Sequence, residues 1–404
     1  MFKHKKYAVL AASVLVLAAC GGTSETSTPS GDSTTSTGTE RIRLQVWGPQ
    51  KEGEKEMYEY FAAEFQALHP EIDFRMSYGD VGEADAATNA LADVDTAADI
   101  FMFADDQLPR LVQKGVLAPL SDYYGNMVKD RDLQSSVDSA TFVDPTDDTE
   151  KLFAFPVSAD NGYFLYYNNE FFTETDVETL EGIMAKTSAD HQFAMDLGNG
   201  YYAMSPVMNT GEITYDFETE LHTTTYNQKV SVDAMQGFAE LVQPKLDKGF
   251  KSINIDDILA DFGDAAGNKI VADVNGMWNA DNIIEQIGDR FAATKLPTFT
   301  SADDSVVQMG PFAGSKLVGV KANATNQAWA FAFAEFIANE AAQAYRYAEI
   351  GKGPSNANVS AGEEVQANEA LAALGMQAEF AIPQGKSVGS TFWDAAGAVG
   401  NFVV

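Results

Sequence analysis

Between Arg41 and Met76 the chain carries a unit that few architectures accommodate. Ile42, Leu44 and Val46 alternate with Arg41, Arg43 and Gln45, the period of a strand, and Trp47-Gly48-Pro49 ends it. Met57, Phe61, Phe65 and Leu68 share one helical face between Glu54 and Leu68, and His69-Pro70 stops the helix. Ile72, Phe74 and Met76 then alternate with polar residues as a second strand. Strand, helix, strand at this spacing predicts a βαβ unit, hence an α/β fold with a mostly parallel sheet and helices on its faces. The pattern returns at Asp99 to Ala104, Leu108 to Lys114, and two separate strands at Phe153 to Val157 and Phe164 to Tyr167. It appears again at Lys269 to Val274 with a helix near Asn279 to Ile287, and ends in one long apolar helix from Thr325 to Tyr347.

With 404 residues and 45% hydrophobic content, the chain exceeds the size at which one core keeps growing, so two lobes are expected. The beginning reads differently. Lys3, Lys5 and Lys6 precede an apolar run from Tyr7 to Leu17, then Leu17-Ala18-Ala19-Cys20, the pattern of an export leader. That run is shorter than the ~20 residues a bilayer span needs. Cys20 is the single cysteine, which excludes an internal disulfide and any multi-cysteine metal site. Gly21 to Glu40 is almost wholly Gly, Ser, Thr and acidic residues and reads as a solvated tether. The formal charge is -33, and loss of the leader's three lysines makes it -36, so nucleic acid is not an expected partner.

In open α/β sheets, ligands bind beyond the carboxyl ends of strands. That rule selects Trp47, the turn Asp105-Asp106-Gln107, Asp160-Asn161 and Trp278. Flat aromatics with carboxylates and amides suit a neutral polyhydroxylated ligand, whose alcohols they accept or bridge and whose C–H face packs on a ring. An arbitrary Trp is more often core, and Trp329, inside the apolar helix, is assigned there. Asp105-Asp106 reads equally well as a turn or helix cap. The histidines are scattered without metal-ligand spacing, and Gly385-Lys386-Ser387 lacks the first glycine of a phosphate loop, with Phe380 in its place. No cofactor and no metal are expected. An Asp106 and Asp160 pair serving a surface glycan-degrading enzyme is the rival reading, and an adhesin or structural lipoprotein a third.

The blocks Leu44-Gln45-Val46-Trp47-Gly48-Pro49, Ala98 through Gln107, Leu152 through Val157, Val274 through Trp278, Lys295 through Phe299 and Ser390-Thr391-Phe392-Trp393 resemble, in order and spacing, the maltose/maltodextrin-binding proteins that serve ABC importers. The resemblance implies a two-lobed periplasmic-binding-protein-like fold (class II) that closes on a sugar in the cleft between the lobes. It implies a first α/β lobe of 41–157 plus 315–363, a second of 158–314 plus 364–404, a leader of 1–19 and a tether of 20–40. Carried over by position, Trp47 and the Gln50-Lys51 turn fall at the first sugar-contacting loop, and Phe103 falls where the family usually has a stacking Trp. Asp106 matches a hydroxyl-binding Asp, and Asp160 an acidic contact near the crossover. Tyr201, Trp278 and Trp393 match the second lobe's aromatic contacts. Asp105 and Gln107 stand where the best-known maltose binder has His and Arg, and Asn199-Gly200 replace its Glu-Pro. Leu17-Ala18-Ala19-Cys20 resembles a lipobox, implying cleavage before Cys20 and its acylation. The expected protein is therefore a monomeric, non-enzymatic binder of a maltodextrin-type oligosaccharide. It is anchored by lipid to the outer face of the cytoplasmic membrane, as in a Gram-positive bacterium, with the permease subunits as partners.

Overall fold

The computed structural model describes residues 40–49, 53–217, 219–263, 269–389 and 391–404. Strand Glu40–Gly48, helix Glu54–Leu68 and strand Ile72–Asp80 form the expected βαβ unit, with the two strands parallel. Met57, Phe61 and Phe65 are the buried helix face, as their spacing requires. Trp47 pairs with Phe101 of strand Ile100–Ala104, also parallel.

The sheet is mixed rather than mostly parallel. Ten strands form one hydrogen-bonded network, whose main path runs from Phe250–Lys251 through Gln192–Ala194, Ile270–Gly276, Ala154–Asn168, Phe312–Val320, Ile100–Ala104 and Glu40–Gly48 to Ile72–Asp80. Phe312–Val320 runs antiparallel to both Ile100–Ala104 and Ala154–Asn168, and Ile270–Gly276 antiparallel to Ala154–Asn168. The two strands expected at Phe153 to Val157 and Phe164 to Tyr167 are one, Ala154–Asn168. The polar and glycine stretch Ser158 to Gly162 between them does not end the strand. It crosses from one lobe to the other, irregularly paired with Phe312–Val320.

Each half of that strand feeds a different core. Phe155 and Val157 pack with Leu44, Phe61, Phe101, Leu317 and Phe333. Beyond the crossover, Tyr163, Leu165 and Tyr167 face a second core with Phe193, Phe238 and Phe312, while Phe164 and Tyr166 face a third with Ile270, Ile283 and Ala373. A strand buried on both faces by alternate residues is what period two delivers when helices cover both sides. Trp329 packs, partly buried, on the first core beside Phe65 and Phe74, as assigned. Its helix is two helices, Gln327–Ala338 and Glu340–Ile350. Asn339 breaks them because its side chain accepts from the Ala342 N–H (2.9 Å) as an N-cap, offering the backbone an alternative to continuing. Among the described residues no helix is long and apolar enough to cross a membrane.

Asp273, within strand Ile270–Gly276, has no exposed surface. One carboxylate oxygen accepts from Asn275 Nδ2 (2.8 Å) and the other has no partner. Burial pushes its pKa up to about 7. A raised carboxyl pKa means that the stability this site permits is intact below the unfolded value and is lost as pH rises through about 7. Asp273→Asn is expected to stabilise the fold more at pH 8 than at pH 5, by on the order of 1 kcal/mol or more, and so to raise the melting temperature more at pH 8. Thermal melts at the two pH values check it.

Candidate functional site

The first lobe contributes groups from strand ends. Trp47 closes its strand half-buried, its ring tilted against Phe101 (6.2 Å between centroids) and lying over Gly79, where a Cβ would stand 2.8 Å from Cδ1. Asp105, Asp106 and Gln107 form the single turn after Ile100–Ala104. Their side chains diverge. Asp106 faces the Trp393 side chain, whose indole N–H can only donate and works to lower the carboxyl's pKa. Burial first, and the neighbouring Asp105 charge second, raise Asp106 to about 7. Asp105 is buried and accepts from Gln384 Nε2 (2.7 Å), and burial lifts it to about 6 despite that bond. Gln107 is spent on structure: its amide donates to the Glu83 carbonyl and accepts from the Ala87 N–H (2.7 Å), pinning the loop that carries Glu83.

Phe103, expected as a stacking ring, has no exposed surface. It packs in the first core beside Phe101, with Gly319 and Leu117 against it, and turns no face to the cleft. A side chain in the middle of a strand sandwiched between helices is drawn into whichever core its register faces, and position in a motif does not override that.

The second lobe supplies an aromatic cluster. Tyr201 rides on the short helix Gly200–Ala203, whose Asn199 cap accepts from the Tyr201 N–H (3.0 Å). Its ring lies 6.0 Å from Trp278, 5.9 Å from Trp393 and 6.0 Å from Phe312, and its hydroxyl is buried without a partner. Burial raises that phenol well above its ordinary value, so it is a fixed donor. Trp278 sits on the turn Met277–Asn279 directly after Ile270–Gly276; a Cβ at Gly276 would run into its indole, so the glycine is what lets the ring fold back. Trp393 opens the helix Phe392–Val403 and packs edge-on to Phe312 at 5.1 Å.

At the crossover, Asp160 is buried; one oxygen accepts from the Gly353 N–H (2.8 Å) and the other has no partner. Sequence reasoning missed its neighbours. Lys316 Nζ lies 3.5 Å from Glu83 and 5.8 Å from the Trp278 ring centre. Burial alone would lower the Lys316 pKa, but the carboxylates of Glu83, Asp160 and Glu54 outweigh it and hold the ammonium charged. Lys352 feels the same carboxylates yet is lowered, by burial and then by Lys316. Glu54 is 2% exposed with one oxygen unpartnered. The signal that was available is that Lys316 is the one charge in the strand Phe312–Val320. Asn161 is buried too and lines a hollow that includes Phe312 but none of the cluster's tryptophans. Gln50, Lys51 and Cys20 lie outside the described residues.

The structure thus brings Asp106 to Trp393 and Tyr201, sets Trp278 beside Tyr201, places Lys316, with Glu83 and Asp160 near its ammonium, over the Trp278 ring, and leaves Trp47 paired with Phe101 on the first lobe. No group of His, Cys, Asp and Glu among the described residues could hold a metal ion. Residues 61–373 match the family model described as bacterial extracellular solute-binding protein. The chain belongs to that family. The resemblance drawn from the sequence blocks and the matched family agree. This solute-binding protein is 26% identical, over 302 residues covering 71% of it and 67% of its relative, to the galactooligosaccharide-binding protein of Bacillus subtilis (strain 168). It superimposes with a TM-score of 0.73 on the unliganded maltodextrin binding protein MalE1 of L. casei BL23, at 25% identity over 90% of this chain and 93% of the other. The maltose-maltodextrin binding protein of Alicyclobacillus acidocaldarius shares the two-lobed fold at a TM-score of 0.70, with 18% identity over 90% of this chain and 95% of that one.

Proposed function

We propose that this solute-binding protein captures a maltodextrin-type oligosaccharide between its lobes and delivers it to the permease of an ABC importer. The observation that carries the reading is the gathering of Trp278 and Trp393 around Tyr201, with Asp106 brought to Trp393 and Tyr201 from the first lobe. Three rings offer faces to sugar C–H groups, and Asp106, Asp160 and Glu83 accept alcohols while Lys316 donates. Three carboxylates against one ammonium disfavour an anionic ligand and fit a neutral, hydroxyl-rich one. The lobes follow 41–157 plus 315–363 and 158–314 plus 364–404 in this reading, with residues 1–19 removed, Cys20 acylated and 20–40 the tether to the outer face of the membrane. Two acyl chains suffice for stable anchoring.

A saccharide touching both lobes favours the arrangement in which both sets of contacts exist. Calorimetry across maltodextrins and galactooligosaccharides is expected to give binding to the maltodextrins, with the sugar recovered intact. Small-angle scattering is expected to report a smaller radius of gyration with the bound sugar present. Tighter binding of galactooligosaccharides would reassign the ligand. Shortened products would make the protein an enzyme, and an unchanged radius would remove closure from the mechanism.

A further inference from the structure

A hollow of about 370 Å³ lies at the crossover, lined by neither Tyr201 nor any tryptophan of the cleft. That volume is at the lower end of small-molecule sites, which run from roughly 300 to 1,000 Å³. Its floor holds Asp105, Asn161, Phe312 and Ser315, all buried, and its mouth opens between Asp138 of the first lobe's helix Gln134–Ser139 and Ala378 just beyond the second lobe's helix Glu369–Gln377, both exposed. Asn161 and Ser315 line it, whereas their chain neighbours Asp160 and Lys316 belong to the charged group beside Trp278. Phe312 is shared between the two: it lines the hollow and also packs on Tyr201 and Trp393 of the cleft cluster.

The lining has a definite chemistry. Most of it is carbon, from alanines, prolines, Phe312 and Leu374. Among the described residues it includes the two carboxylates of Asp105 and Asp138 and no lysine, arginine or histidine. Asp105, 1% exposed, has only neutral donors around it: Gln384 Nε2, Ser139 and the Ser315 backbone. Asn161, 8% exposed, lines the hollow as well. A buried carboxylate without a cation is costly, and a ligand ammonium would satisfy it, with the Asn161 amide lining the same hollow.

We propose that this hollow is a second binding site, for a small organic amine, with its ammonium group at Asp105 and Asn161 and its hydrocarbon body against Phe312 and Leu374. The class follows from the lining: an anion meets two carboxylates, and a fully polar molecule leaves the carbon wall unused. The proposal does not depend on which sugar fills the cleft. Because the walls come from both lobes, occupancy also favours the lobe arrangement that forms them.

The test titrates the full chain with cyclohexylammonium chloride to millimolar concentration and reads backbone amide shifts by NMR. Shifts are expected at Asn161, Ala313 and Ser315, with none from cyclohexanecarboxylate. Asp105→Asn is expected to weaken the amine by about tenfold or more. Ala378→Phe, at the exposed mouth, is expected to abolish the shifts while leaving the melting temperature unchanged. Absence of shifts, shifts on the Trp278 and Trp393 indoles instead, or equal response to the carboxylate would each overturn the assignment. Saccharide binding is not the readout, so failure here and failure of the oligosaccharide reading are separate results.

Discussion

Trp278→Ala is expected to weaken oligosaccharide binding by about 1–2 kcal/mol, roughly five- to thirtyfold in Kd, while the protein stays folded. The ring is half-buried at a lobe boundary, on a turn whose backbone is set by the fully buried strand before it. Removing it takes away one stacking face and leaves Lys316 without the π surface it lies over. It leaves the hydrogen bonds of Asn275 and Asn279 intact, because these run among the two asparagines, the Gly276 N–H and the Asp273 carboxylate. Isothermal titration before and after the change reads the effect. Unchanged affinity would take Trp278 out of the binding surface and leave Trp393 and Tyr201 to account for stacking.

Gly400→Leu is expected to destabilise the fold by about 1–3 kcal/mol and to weaken sugar binding as well. Helix Phe392–Val403 packs backbone to backbone against the segment that carries Tyr201. A Cβ at Gly400 would collide with the Leu197 carbonyl, one at Gly397 would stand 2.5 Å from the Gly198 carbonyl, and Gly200 answers from the other side, against the carbonyl of Trp393. A leucine forces the helix away, and Trp393 at its start leaves Tyr201 and Asp106. Gly375→Ala is the matched control: in helix Glu369–Gln377 a Cβ there meets nothing within 4 Å. It is expected to stabilise by about 0.5–1 kcal/mol through reduced unfolded-state entropy. Chemical denaturation of the pair, with calorimetry on each, separates packing from helix propensity. Equal stability of the two variants would show that the close approach is not sustained in solution.

Local periodicity was a good guide wherever one residue pattern met one core. Helix Glu54–Leu68 buries Met57, Phe61 and Phe65 as read, and the strand before Trp278 lies where its apolar run predicted. It failed where two cores share an element. Ser158 to Gly162 reads as a break because polar residues and glycine end strands on average, yet there the backbone is paired with a partner about 150 residues later in the chain. Asn339 reads as one polar residue in a long helix, and only its bond to Ala342 reveals a cap.

The candidate site divides in the same way. Trp278, Trp393 and Tyr201 were legible as aromatics after strands or in family blocks, but Phe103 carried the same credentials and is core. Nothing local marked Glu54 or Lys352, whose surroundings come from distant segments.

By itself the sequence determined the alternation of strands and helices and the family, because these depend on residue type and short-range spacing. Tertiary structure alone decided which side chains meet. Asp105 turns to Gln384 and Asp106 to Trp393, partners 279 and 287 residues away, although the two aspartates are adjacent. Successive side chains on a turn point in different directions, and which surface each one meets is set by how two separately packed lobes are joined at the crossover strands.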